Sequence, residues 1–305
     1  MKKMECSFDS HTGLGKIHYE IWIPEDKPCA VIQIAHGMTE HIKRYEGFVK
    51  FLNEQGFAVI MNDHAGHGKS IQNEEHKGHF GDKEGWTNVI KDMKVLHDLA
   101  VSEFPDVSMV LMGHSMGSFL TRAYATLYPE DHIIYIFSGT AGRNSLLVLG
   151  KFAATMLRPF GGAMKTKEFL RWLCFGNYNK GINNPRPNAW LTSEEDIVDA
   201  YNADSLCGFS FTAEAMLELF RGIEAVTGKE WAKRVPDVPI YIFFGEQDPV
   251  GAYGKGPRQV EKWLNETDHH HVEMKPYGIG RHEMLNESNK MEVYENIIRF
   301  LEKNL

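Results

Sequence analysis

Cysteine is scarce in this chain. Cys6, Cys29, Cys174 and Cys207 stand far apart, and none belongs to a C-x-x-C pair. That spacing argues against a zinc knuckle and suits four reduced thiols in a reducing cytosol, so a cytoplasmic location is expected. Long apolar runs are missing as well. No uncharged stretch approaches the roughly 20 residues a spanning helix needs. The two lysines at positions 2 and 3 are not followed by the apolar segment of a secretory signal, so no signal peptide is expected. Basic excess is absent: 33 Lys plus Arg face 41 Asp plus Glu, a net charge of -8. An acidic surface repels phosphate backbones, so nucleic acid is not expected as a partner. Internal repeats, low-complexity tracts and Ser/Gly/Pro-rich linkers are not found either, which leaves an ordinary globular chain without obvious tethered modules.

What is present is an alternation of short apolar runs with longer helical patterns. Strands are expected at residues 16–24, 30–35 (AVIQIA), 58–62 (AVIMN), 107–112, 133–137 (IIYIF), 239–244 (PIYIFF) and 271–274. Helices are expected at 42–55, 85–104, 115–128, 256–265 and 289–301. Gly56 sits where a glycine ends a helix, and Pro105 and Pro129 stop the two that precede them. Strands and helices alternating at this spacing imply an α/β fold with a mostly parallel sheet covered on both faces. Residues 141–235 break the rhythm, with no convincing strand. Leu146, Leu147, Leu149, Phe152, Met156, Leu157 and Phe160 recur at helical spacing there. A second helix is expected after Thr192 and Glu195, which have the spacing of a capping box, and a third at 212–225. The expected organisation is a core of residues 1–140 and 236–305 with a helical lid, 141–235, inserted into it.

The strongest chemical signal is Gly113-His114-Ser115-Met116-Gly117, placed between an apolar strand and a helix. That context is what a nucleophile elbow requires, a sharp turn that lifts a serine hydroxyl above the sheet edge. A serine hydroxyl needs a base, and the base needs an orienting acid. Asp248 and His282 follow in that chain order, each in a loop after a C-terminal strand, where open α/β sheets place their sites. Glu246 competes with Asp248 for the role of the acid. The oxyanion hole is expected from the backbone N–H groups of Met116 and Met38, the latter following Gly37 directly after a strand. His269-His270-His271 invites a metal reading, but neighbouring strand side chains point to opposite faces. His64 and His67 read as a structural loop for want of a third ligand at useful spacing. No metal site is expected.

These segments resemble the monoacylglycerol lipases and bacterial lysophospholipases of the α/β-hydrolase superfamily, grouped with serine aminopeptidases of the S33 type. His36-Gly37-Met38-Thr39-Glu40-His41 with Arg44-Tyr45 is similar to their HG-x-x-EH…RY segment. The stretch from Asp63 through His64, Ala65, Gly66, His67, Gly68 and Lys69 to Ser70 is similar to their DxRGHGxS loop, with Ala65 in place of the usual arginine. The resemblance covers about residues 10–140 and 236–305. It implies an α/β-hydrolase fold and hydrolysis of esters with one acyl chain, without metal or organic cofactor. The expected partner is therefore a small lipid or ester, with no obligate protein partner. Leu146, Leu149, Phe152, Met156 and Phe209 are candidates for the acyl pocket. Lys151 and Arg158 flank the lid's apolar stretch and raise the prospect of transient membrane-surface contact. An aminopeptidase or amidase on the same triad remains an alternative, with Glu194, Glu195 or Asp196 holding the substrate amine. A non-catalytic binding protein is the third reading, disfavoured by so complete a set of catalytic parts.

Overall fold

The computed structural model describes residues 2–143, 146–160 and 164–305. The chain opens on β1 (Lys2–Asp9) and β2 (Lys16–Ile23), an antiparallel pair with Lys2 opposite Ile23 and Asp9 opposite Lys16. β3 (Ala30–Ala35) is buried along its whole length, as an apolar run bounded by loops demands. A short 3-10 turn and α1 (Glu46–Glu54) follow, ended by Gly56 at φ +83°. Then come β4 (Ala58–Asn62), α2 (Gly85–Glu103), β5 (Ser108–His114), α3 (Met116–Leu127) and β6 (Ile134–Ser138). The helices α4 (Leu146–Leu157), α5 (Met164–Phe175), α6 (Glu195–Ala203), α7 (Ala213–Ala225) and α8 (Lys229–Ala232) intervene before β7 (Ile240–Gly245). The chain closes with α9 (Lys255–Asn265), β8 (Val272–Tyr277) and α10 (Lys290–Asn304).

The eight strands form one sheet in the order β1-β2-β4-β3-β5-β6-β7-β8. β2 meets β4 antiparallel, and from β4 to β8 every pair is parallel. Apolar clusters fill both faces, as expected for a doubly covered sheet. The topology is that of an α/β hydrolase. β1 forms where the sequence raises no expectation, because its exposed, charge-bearing stretch KKMECSFD carries little apolar signal. One local expectation needs correction. The capping box at Thr192 does not form. Glu194 is the N-cap of α6, and Thr192 Oγ1 instead donates to the Asn286 carbonyl and accepts from Glu194 N–H.

Between β6 and β7 the described chain forms helices and loops without a strand. α7 seats this insertion on the core, packing on α2 and α3, with Trp86 against Gly222. The start of the insertion and the segment after α7 are held by one side chain of α3. Arg122 is fully buried, and its Nη1 donates to Thr140 Oγ1 at 3.2 Å and to the Ala141 carbonyl at 2.8 Å. Its Nη2 donates to the Val226 carbonyl, and the guanidinium lies 4.3 Å from the Trp231 ring centroid. Burial pulls its pKa down to about 9. Among the described residues, no helix is long and apolar enough to cross a membrane.

Candidate active site

Ser115 stands between the end of β5 and the start of α3 at φ +53°, ψ −119°. A non-glycine residue rarely adopts this backbone, and it persists only where its surroundings hold it. Here Ser115 N–H donates to the Ser138 carbonyl at 2.9 Å, while Ser118 Oγ donates to the Ser115 carbonyl at 2.7 Å. The two flanking glycines have a steric reason. A Cβ on Gly113 would sit 2.2 Å from the Gly117 carbonyl oxygen, and one on Gly117 would sit 2.0 Å from the Ala35 carbonyl oxygen. The turn can close only because both side chains are absent.

Asp248 and His282 meet at the ends of β7 and β8. His282 Nδ1 lies 3.0 Å from Asp248 Oδ2, with both side chains buried. The other carboxylate oxygen of Asp248 accepts Val250 N–H at 2.8 Å. With Nδ1–H on Asp248, Nε2 is the free basic nitrogen. Burial pushes the His282 pKa down, but the Asp248 charge and hydrogen bond, with Glu283 and Glu40 behind them, outweigh it and leave the pKa raised. The ring is fixed between His114, at 4.8 Å, and Trp190 of the insertion, at 5.1 Å. Glu246, the competing acid, instead faces Arg258 at the surface, with Nη1 to Oε2 at 3.1 Å.

Gly37, Met38, Ser115, Met116 and His282 line one cavity of about 220 Å³. A Cβ on Gly37 would come within 3.2 Å of Ser115 Cβ and 2.6 Å of Glu40 Oε1, so glycine lets this loop lie against the serine. Strand-end loops form one wall of the cavity, and the insertion forms the other through Leu149, Phe175, Trp190, Phe209, Phe220 and Ile223. Of the acyl-pocket candidates, Leu149 and Phe209 therefore border the cavity. Phe152 and Met156 do not. They are 65% and 62% exposed, because α4 turns that face to solvent and lays Gly150 against Phe220. The side chains of Leu146, Leu147 and Phe160 lie outside the described residues. The flanking cations are engaged within the insertion, Lys151 with Glu224 and Arg158 with Glu214.

Glu40, Arg44 and Tyr45, to which the sequence alone assigns no role, build a buried ionic brace between the Gly37–Met38 loop and the His282 loop. Arg44 binds Glu283 through both terminal nitrogens at 2.7 Å and Glu40 at 2.6 Å. Glu40 Oε1 accepts from Gly37 N–H at 2.6 Å and from Tyr45 OH at 2.8 Å. Burial pushes both carboxyl pKa values up, but Arg44 overrides it and holds them low. His36, His64 and His67 are likewise buried together, and burial takes His36 and His67 down to about 3. They act as neutral hydrogen-bonding groups, His67 Nδ1 donating to the Ala65 carbonyl at 3.0 Å. His269, from the histidine run, bonds the Leu264 and Val235 carbonyls. Of groups able to hold a metal, His41, Asp204 and Cys207 bring donor atoms within 4.8 Å of one another, and His41 and Asp204 already bond each other at 2.9 Å.

The family described as serine aminopeptidase, S33, matches residues 26–289. The monoacylglycerol lipase of Mycolicibacterium smegmatis is 24% identical over 97% of each chain. The monoglyceride lipase of Homo sapiens is 27% identical over 76% of this chain and 71% of its own. Among solved structures, a highly thermostable carboxyl esterase from Bacillus coagulans in complex with glycerol superposes with a TM-score of 0.93. It has 33% identity and covers 100% of this chain and 99% of that one. With the elbow, the Asp–His pair and the sheet order already described, these matches place the chain in the serine aminopeptidase S33 family of α/β hydrolases.

Proposed function

We propose that this carboxylic ester hydrolase cleaves esters bearing a single acyl chain, of the monoacylglycerol or lysophospholipid type, through an acyl-enzyme on Ser115. The observation that carries this reading is one cavity that joins the Ser115 turn and His282 to a mostly apolar wall. In the proposed reaction His282 Nε2 takes the proton of Ser115 Oγ as that oxygen attacks the ester carbonyl. Asp248 holds the resulting imidazolium. The N–H groups of Met38 and Met116 receive the oxyanion. His282 then gives its proton to the leaving alcohol, and water releases the acid by the same steps in reverse order. The glycerol bound by the Bacillus coagulans esterase supports an alcohol of that size as the leaving group.

An aminopeptidase would need a free carboxylate for the substrate amine. The acidic residues lining the cavity, Glu40 and Glu283, are both committed to Arg44. Glu194, Glu195 and Asp196 are exposed at the start of α6, and Glu195 pairs with Arg186 at 2.9 Å. This favours the ester reading. The insertion serves as a lid whose outer apolar face, with Val148, Phe152, Met156, Phe169 and Trp172 exposed, touches the lipid surface that presents the substrate. Four free cysteines suit a cytoplasmic setting.

The test is kcat/KM for p-nitrophenyl esters of increasing acyl length, below their micellar concentrations, beside alanyl, leucyl and prolyl anilides. Each buried methylene contributes about 0.8 kcal/mol, so going from four to eight carbons raises kcat/KM by up to ~10²-fold. A flat or falling series, or anilides cleaved faster than any ester, overturns the reading.

A further inference from the structure

Thr39, the residue after the proposed oxyanion donor Met38, has a φ of +55°. A β-branched side chain is poorly tolerated in the left-handed region, so this backbone relaxes unless it is held. It is held from two sides. From the core, His67 Nε2 accepts Thr39 N–H at 3.2 Å. From the insertion, Gly208 N–H donates to the Thr39 carbonyl at 3.0 Å, and the Tyr201 hydroxyl donates to the same carbonyl at 3.2 Å. Tyr201 OH also lies 3.0 Å from Thr39 Oγ1; its single proton goes to the carbonyl, so Thr39 Oγ1 is the donor there. The Tyr201 ring is buried under Arg44, whose guanidinium stands 4.8 Å from its centroid. Every polar backbone atom of Thr39 is therefore bonded, two of these bonds coming from residues more than 160 positions further along the chain.

The consequence follows from peptide geometry. Met38 N–H belongs to the peptide immediately before the one whose N–H is gripped by His67. If Thr39 relaxes to an ordinary φ, the Met38 segment turns and its N–H leaves the oxyanion position. We infer that Tyr201 is a positioning residue: it clamps the left-handed Thr39 backbone, so that docking of the insertion on the core is part of building the oxyanion hole. The insertion would thus control the rate of the chemical step as well as the choice of acyl chain. This rests on the serine-hydrolase reading proposed above.

The experiment is Tyr201→Phe, assayed on p-nitrophenyl acetate, whose acyl group is too short to need the apolar wall. Removing a whole oxyanion donor costs about 10²–10³-fold in kcat. Displacing one is expected to lower kcat ~10- to 30-fold with KM within twofold and the melting temperature little changed. The decisive variant is Thr39→Gly added to Tyr201→Phe. Glycine adopts the left-handed backbone without strain, so the double variant is expected to regain at least threefold in kcat over Tyr201→Phe. A kcat within twofold of wild type for Tyr201→Phe, a loss confined to KM, or no recovery on adding Thr39→Gly would each overturn the inference. Fluorophosphonate labelling of Ser115 separates the two levels. Failure to label the wild-type serine defeats the hydrolase reading itself, whereas labelling with unaltered Tyr201→Phe turnover defeats only the clamp.

Discussion

The sheet core and the helical insertion treat polarity in opposite ways. In the core, charged and titratable groups are buried against one another: Asp248 with His282, Arg44 with Glu40 and Glu283, and three imidazoles packed together. In the insertion, large apolar side chains are left in solvent. Val148 is 70% exposed and Trp172 66%. Reaction chemistry needs groups whose positions and protonation do not drift, which a rigid, dry surround supplies. Collecting a lipid needs an outward apolar surface, which is tolerable only on a part that does not carry the core. The contrast predicts that changes in the first region abolish catalysis, while changes on the outward face of the second alter access.

The largest effect is expected at the elbow. Ser115→Ala should lower kcat on the order of 10⁵-fold and abolish fluorophosphonate labelling, with an unchanged melting temperature. Labelling that persists at Ser118 or Ser138 would move the nucleophile. Next comes the acid. Asp248→Asn should cost ~10³–10⁴-fold in kcat, because the imidazole loses its orienting carboxylate. Glu246→Gln, at its surface pair with Arg258, should cost less than ~10-fold; the opposite ranking would reassign the acid.

The third effect is on pH. His282 must be neutral to act as base, and its pKa is raised. kcat/KM should therefore fall about tenfold per pH unit below a midpoint lying above the ordinary histidine value. Removing one negative charge with Glu283→Gln should move that midpoint down; an upward move would show that the brace does not favour the imidazolium. The smallest effect is expected at the insertion's outer face. Phe152→Ser with Trp172→Ser should weaken retention on phospholipid vesicles several-fold and leave hydrolysis of dissolved p-nitrophenyl butyrate within twofold. Equal losses in both assays would mean that this face serves folding and not access.

The same contrast explains what could be read from the amino-acid sequence. Buried parallel strands must be apolar throughout, so AVIQIA and AVIMN announce themselves, and β3 and β4 occupy those very residues. The elbow is legible because its glycines and serine stand in one five-residue stretch between a strand and a helix, although the Gly117 contact is with Ala35 far back in the chain. Elsewhere the signal is not local. β1 is a half-exposed strand whose pattern is set by pairing with β2. The outward turn of Phe152 and Met156 is set by Gly150 meeting Phe220, a contact made only once α4 and α7 have packed. A solvent-exposed apolar stripe and a buried pocket wall have the same composition, so periodicity alone does not separate them. Tyr201 carried no sequence signal for the same reason: its partner is Thr39, far away along the chain.

Arg122 bears on how such an enzyme could diversify. Of its three acceptors, two are main-chain carbonyls, that of Ala141 where the insertion begins and that of Val226 just after α7. Carbonyl groups are common to all residue types, so these two bonds place no demand on side-chain identity at the positions they grip. What the clasp does ask of the insertion is an aromatic ring at Trp231 to lie against the guanidinium. Drift at the gripped positions leaves the fastening intact, whereas the contacts of Trp190, Tyr201 and Gly208 with the strand-end loops would be lost with the segment and have to be rebuilt in any replacement.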